Sequence, residues 1–155
     1  MLHTGHETDP ATGAATAPIY QVSMFDQPGL EQPGEFDYAR SGNPTRKALE
    51  GVLAELEDAA GAFAFSSGMA AISSVLMLFS AGDHLVVTDD CYGGTYRVLT
   101  RVFSRFGLRA TFVDTSDTDA VRAAMRPNTR ALLVESVSNP FLKRTDITAM
   151  AIIAR

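Results

Sequence analysis

A single cysteine, Cys91, is all the thiol the sequence holds, so no internal disulfide can staple the fold and a reducing compartment is the expected setting. Basic residues are also scarce. Thirteen Lys and Arg stand against 18 Asp and Glu, a formal charge of -5, and the basic residues are scattered, which argues against a nucleic-acid partner. No apolar run approaches the roughly 20 residues of a membrane-spanning helix. Residues 1–10 lack the basic-then-apolar pattern of a secretory signal, and the expectation is a cytoplasmic chain with no membrane partner. The three histidines, His3, His6 and His84, are too widely separated to suggest a metal site. Neither a G-x-G-x-x-G run nor a Walker-type lysine is present, which disfavours nucleotide binding.

What is there reads as ordinary globular material, 46% apolar and 20% charged over 155 residues, enough for one domain with a real core. Residues 1–35 are poor in apolar periodicity and carry turn signals at "QPG" 27–29 and again at 32–34, the pattern of an extended arm. From Asn43 the pattern is regular. Asn43 is a helix cap, Pro44 suits the first helical position, and Leu49, Val52, Leu53 and Leu56 share one face, so a helix is expected over 44–58. A buried strand is expected over 62–66, then a helix running to Gly82. Strand 84–88, helix 95–106, strand 109–113, a short helix capped by Asp117, strand 130–135 and a helix from near Asp146 follow. Alternating strands and helices with near-continuous apolar strands imply an α/β fold, a mostly parallel sheet with helices on both faces. Right-handed crossovers place the loop after every strand at one edge of that sheet, where such sheets bind ligands.

Three of those loops are small and polar: "SSGM" 66–69, "DDCYGG" 89–94 and "ESVSNP" 135–140. A strand that ends in Ser66-Ser67-Gly68 and opens a helix presents unpaired backbone N–H groups able to hold a phosphate, although either serine could simply cap its own helix. Tyr92, beside Gly93 and Gly94, could stack on a flat ring or merely pack in its loop. Arg97 could reach an anion, yet Arg97, Arg101 and Arg105 also form a solvated helix face. Glu135 at a strand end needs a partner, and Asn139 before Pro140 fits a plain turn. Tyr38 and Arg40 stand in the arm, where an arginine could reach an anion on another subunit.

Taken together, "YARSGNPTR" 38–46, "SSGMAA" 66–71, "DCYGGTYR" 90–97 and "ESVSNP" 135–140 resemble, in order and spacing, the N-terminal half of the Cys/Met-metabolism enzymes that use pyridoxal 5′-phosphate. That family holds cystathionine β-lyases, γ-lyases and γ-synthases, and the likeness runs from about Thr4 to Ile147. The resemblance implies an aspartate-aminotransferase-like (fold type I) large domain, and a homotetramer of dimers with shared active sites. On it, residues 1–43 are an arm contacting a neighbouring subunit and residues 44–155 the first part of the large domain. It implies that Gly68 and Met69, with Ser67, hold the cofactor phosphate, joined from the neighbouring subunit's site by Tyr38 and Arg40. Tyr92 would stack on the pyridine ring and help deprotonate the substrate amine, Asn139 would lie against the ring hydroxyl, and Arg97 would contact the substrate.

The likeness also implies something this sequence does not contain. Chemistry on the cofactor needs a Schiff-base lysine and a carboxylate for the pyridine nitrogen. Lys47 and Lys143 match neither family position, and both groups would lie beyond Arg155, so these 155 residues alone are expected to be inactive and to leave an apolar sheet edge in need of a partner. The expected function is a pyridoxal-phosphate carbon–sulfur lyase acting on L-cystathionine, with β-elimination favoured and γ-lyase or γ-synthase chemistry as alternatives. The rivals from other classes are a non-catalytic fragment that acts through subunit association and a free-standing anion-binding domain.

Overall fold

The computed structural model describes residues 8–155, so the start of the expected arm, with His3 and His6, lies outside the described residues. The chain divides into two units, one ending at Phe65 and the other spanning Ser66–Arg155.

In the first unit the arm is ordered by side chains standing in for a sheet. Gln27 donates from Nε2 to the carbonyls of Phe25 (3.0 Å) and Phe36 (2.9 Å) and accepts the Gly34 N–H (2.8 Å), which folds the segment into a loop closed by the Met24 and Tyr38 bridge. The expected helix is α1 (Pro44–Leu56), with the Asn43 side chain accepting the Thr45 N–H and Pro44 in the first turn. The Asn43 side chain also donates to the Tyr20 carbonyl, and Thr45 Oγ1 to that of Pro18, so the arm lies on the start of α1.

The strand expected over 62–66 does not form. Residues 61–65 have no regular secondary structure, Phe63 and Phe65 are exposed, and the Ala64 N–H is taken by the Glu50 carboxylate (2.9 Å) rather than by a neighbouring strand. An apolar run becomes a strand only where another strand offers its carbonyls, and among the described residues none does.

The second unit is built on three parallel strands, β1 (His84–Thr88), β2 (Arg109–Val113) and β3 (Thr129–Leu133), in the order β2-β1-β3. Helices α2 (Gly68–Leu76), α3 (Gly93–Arg101), α4 (Thr118–Ala124) and α5 (Ile147–Ile153) cover them. Because side chains alternate along a strand, Leu85 and Val87 of β1 pack with Leu76 of α2 and Leu99 of α3, while Val86 packs with Val121 of α4 and Met150 of α5. Every residue of β1 is buried, as expected of a central parallel strand with helices on both faces. Asp117 and Asp146 cap α4 and α5.

Two helices are shorter than their periodicity suggests. Helix α2 stops at Leu76 rather than Gly82, since the Leu78 and Phe79 N–H groups turn back to Val75 and Leu76 and the Asp83 carboxylate takes the Ser80 N–H. Helix α3 gives way to a single 3-10 turn, Phe103–Phe106, ended by Gly107 at φ 86°, where a Cβ would meet that of Ala81 at 3.0 Å. The chain leaves β1 toward β2 and then crosses β1 to reach β3, so the direction of winding reverses between β1 and β3. A crevice opens at such a switch point, beyond the carboxyl ends of the strands.

Candidate functional site

The loops after β1 and β3 meet across that crevice. The Tyr92 N–H donates to Glu135 Oε1 (2.7 Å), and the buried Ser138 hydroxyl donates to Asp90 Oδ2 (2.5 Å). Tyr92 is the residue before α3, and its own side chain caps nothing, so a carboxylate from the neighbouring loop holds the start of that helix, where negative charge is favourable. The need of Glu135 for a partner is visible in the sequence; that the partner is the Tyr92 backbone is not. Asp90 serves Ser138 and Asp89 serves Lys143, and neither caps α3. Cys91 packs against the core cluster of Leu85 and Val87, where burial pushes its thiol pKa up, which suits a packing residue and not a nucleophile.

Tyr92 is 60% exposed. Gly94 is what allows its ring to lie as it does: a Cβ at this buried position would fall 2.5 Å from Tyr92 Cε1 and 2.7 Å from Met69 Sδ. Met69 of α2 and Tyr92 at the start of α3 therefore close over Gly94, uniting two of the sequence-predicted residues. Arg97 folds back along α3, its Nη1 lying 3.3 Å from where a Gly93 Cβ would be, which places the guanidinium near the start of the same helix.

At the head of α2, the Ser67 hydroxyl accepts the Ala70 N–H (3.1 Å), so the plain capping role is real. It leaves two donors over. Among the described residues no acceptor meets the Gly68 or Met69 N–H, and a Cβ on Gly68 would meet nothing within 4 Å. Two backbone donors without an acceptor at a helix N-terminus are suited to an anion.

Asn139 is exposed and its side chain has no hydrogen-bond partner among the described residues. It stands at the end of a small hairpin in which the Ser138 N–H bonds the Lys143 carbonyl (3.0 Å) and Val137 bridges Arg144. Lys143 Nζ donates to Asp114 Oδ2 (3.0 Å) and to both oxygens of Asp89 (3.1 Å each). These bonds, that to Asp114 foremost, hold the lysine pKa above its ordinary value, so the amine is a held ammonium. Lys47, in the first unit, is likewise paired with Glu35. Tyr38 and Arg40 also lie in that unit, where the Arg40 guanidinium carbon sits 4.8 Å above the Tyr38 ring. No group of three or more potential metal ligands occurs among the described residues, and no helix among them is long and apolar enough to cross a membrane.

A family model described as Cys/Met metabolism PLP-dependent enzyme matches residues 1–155. The chain is 54% identical over all 155 residues to a cystathionine gamma-lyase of Bacillus subtilis (strain 168), spanning 41% of that protein. It is 49% identical over its full length to a cystathionine beta-lyase of Lactococcus lactis subsp. cremoris (strain MG1363), again spanning 41%. Over 152 residues, 97% of the chain, it is 51% identical to a cystathionine gamma-synthase of Mycobacterium tuberculosis (strain CDC 1551 / Oshkosh), covering 39% of that protein. The solved structure of cystathionine gamma-lyase from Lactobacillus plantarum complexed with L-serine matches 99% of the chain at a TM-score of 0.93 and 48% identity, and the chain covers 40% of it. These 155 residues thus span about two-fifths of each relative's length, from 39% to 41% of the three proteins above. With a matching family model along its whole length and a fold shared with solved cystathionine lyases, the chain belongs to the Cys/Met-metabolism family of pyridoxal-phosphate-dependent enzymes.

Proposed function

We propose that this chain supplies the phosphate cradle and ring face of a carbon–sulfur lyase acting on L-cystathionine. The observation that carries the reading is the meeting of Met69 and the exposed Tyr92 over Gly94, through the Met69 sulfur and the Tyr92 ring, at a helix start where the Gly68 and Met69 N–H groups have no acceptor among the described residues. The donor set fits pyridoxal 5′-phosphate: main-chain N–H groups at a helix N-terminus suit its phosphate, and a flat phenol suits its ring. Bound there, the cofactor supplies the electron sink that lets a Cα–H bond of an amino acid break.

The chain's own residues then have separable tasks. Gly68 and Met69 bind the phosphate through N–H groups that need no reorganisation, and Tyr38 and Arg40 offer a phenol and a guanidinium to the phosphate of a neighbouring subunit's site, within a homotetramer. Tyr92 would offer its ring to the face of the cofactor, and its phenol oxygen, acting as the phenolate, would take a proton from the incoming ammonium and so become the neutral phenol. Asn139 offers its amide to the ring hydroxyl, and Arg97 offers a guanidinium to the substrate carboxylate. Neither lysine takes a covalent role. Both are ion-paired, and an amine must be neutral to be a nucleophile.

The test is an assay of the protein, expressed from its complete reading frame, with L-cystathionine and pyridoxal 5′-phosphate. Pyruvate with homocysteine reports cleavage on the β side, and 2-oxobutyrate with cysteine reports cleavage on the γ side. Either supports the lyase reading, β-elimination being the expected one. Bound cofactor with neither keto acid overturns it.

A further inference from the structure

Residues 134–146, the connection from β3 to α5, have no regular secondary structure beyond a single bridge, yet they carry Asn139. Beyond Val134, which packs against the Val86, Val121 and Met150 cluster, apolar packing does little to hold them. Val137, Phe141 and Leu142 are 54%, 74% and 68% exposed, and Leu142 sits at φ 54°, in the left-handed region that costs a non-glycine residue about 1 kcal/mol or more. The segment stays in place through polar contacts, and these are directional. Buried Thr145 shares a hydrogen bond with Thr115 (2.6 Å), which donates to Thr88 (3.1 Å) at the end of β1. Buried Ser138 donates to Asp90, and Ser138 Oγ accepts the Lys143 N–H (3.1 Å).

Lys143 is the member of this set that reaches both flanking strands. Its ammonium joins Asp89, which follows β1, to Asp114, which follows β2, and the residues between Ser138 and Lys143 close the hairpin on itself. Without that charge, the two carboxylates would face each other at the carboxyl edge of the sheet with Asp90 adjacent in sequence, and like charges at this range repel.

We propose that Lys143 is a positioning residue: by clamping Asp89 and Asp114 it fixes the 136–145 hairpin, and with it Asn139, at the carboxyl ends of β1 and β2. The role of Asn139 toward the cofactor rests on the function proposed above, whereas the clamp does not. Replacing the ammonium by an isosteric apolar chain, Lys143→Met, frees the hairpin while leaving the sheet intact. Lys143→Arg restores it, because a guanidinium can also bridge two carboxylates.

The experiment is hydrogen exchange with peptide resolution on the protein from its complete reading frame, read together with the visible circular dichroism of bound pyridoxal 5′-phosphate. In Lys143→Met, amide exchange over 136–145 rises about tenfold while β1 and β3 keep their protection, a local opening distinct from global unfolding. The induced dichroism of the cofactor falls, and both readouts recover in Lys143→Arg. Asp114→Asn, which removes one arm of the clamp without adding bulk, gives the same change at smaller amplitude should the methionine variant fail to fold. Unchanged exchange over 136–145 overturns the clamp. Faster exchange with unaltered dichroism overturns the positioning of Asn139. A wild-type protein that binds no cofactor at all defeats the proposed function instead, and the exchange measurement still decides the clamp.

Discussion

Gly94→Ala puts the junction of Met69 and Tyr92 to a quantitative test. The new methyl would lie 2.5 Å from Tyr92 Cε1, 3.0 Å from Tyr92 Cδ1 and 2.7 Å from Met69 Sδ. Carbon atoms rest about 3.5–4.0 Å apart, so the ring has to retreat by roughly 1 Å. Both obstacles are the far ends of movable side chains, and overpacking of that kind costs about 1–3 kcal/mol. Alanine in place of glycine within a helix returns about 1 kcal/mol. The net destabilisation is then about 1 kcal/mol, a fall in Tm of about 2–4 °C for a chain of this size. Cofactor binding should suffer more than stability, because a ring moved by about 1 Å no longer lies where the Gly68 and Met69 donors direct the cofactor, and about tenfold in apparent affinity is expected. Thermal melts and a pyridoxal 5′-phosphate titration followed by circular dichroism measure the two effects. Gly93→Ala is the control, since its Cβ meets only the Arg97 guanidinium at 3.3 Å. If Gly94→Ala binds cofactor as tightly as the parent and melts with it, Met69 and Tyr92 do not close over this glycine and the reasoning fails.

Gly68→Ala separates stability from binding in the opposite sense. Its Cβ meets nothing within 4 Å, so the melt should stay level or rise by about 0.5–1 kcal/mol, while the methyl enters the space before the two N–H donors and weakens phosphate binding. Tighter binding in a titration with inorganic phosphate or the cofactor would contradict the cradle. Acid unfolding should proceed in two stages. Burial, and then the charge of Arg126, lower the pKa of His84, so the unfolded chain takes up its proton first and stability declines as pH falls below the ordinary value of 6.5. Asp114, held at about 2 by the Ser116 hydroxyl and then by Lys143, adds a second loss as pH falls from its ordinary 3.8 through about 2. Allowing for solvent screening of a carboxylate that is 40% exposed, this second loss is about 1 kcal/mol. Denaturant melts across pH should show Asp114→Asn flattening the lower stage alone, and an unchanged lower stage would refute the assignment.

Much of the fold was legible because local signals and tertiary demand agree. Asn43, Ser67, Asp117 and Asp146 cap helices, and "HLVVT", apolar along its middle, is a central strand buried on both faces. The failure at 62–66 has the opposite cause: "AFAFS" has the composition of a strand, but a strand is a property of a pair. Within the site, the loops could be identified from their small polar residues and the alternation of elements. Their wiring could not. That Glu135 holds the Tyr92 backbone, or that Lys143 bridges two aspartates 54 and 29 residues earlier, depends on separations no periodicity encodes.

The two polar ends of β1 have a consequence for how the sheet selects its alignment. His84 Nδ1 meets Thr129 Oγ1 and Nε2 meets Thr111 Oγ1, each at 2.8 Å, and at the other end Thr88 accepts from Thr115. Apolar alternation repeats every second residue, so Leu85, Val86 and Val87 alone would tolerate a strand sliding by two positions and still bury the same faces. The ring and hydroxyls would not: such a slide strands a buried imidazole away from one of its threonines, at a cost of about 1–3 kcal/mol for each lost partner. The polar bookends thus act as a vernier that excludes the slipped alignment, and with it any arrangement in which the loops after β1 and β3 would fail to meet.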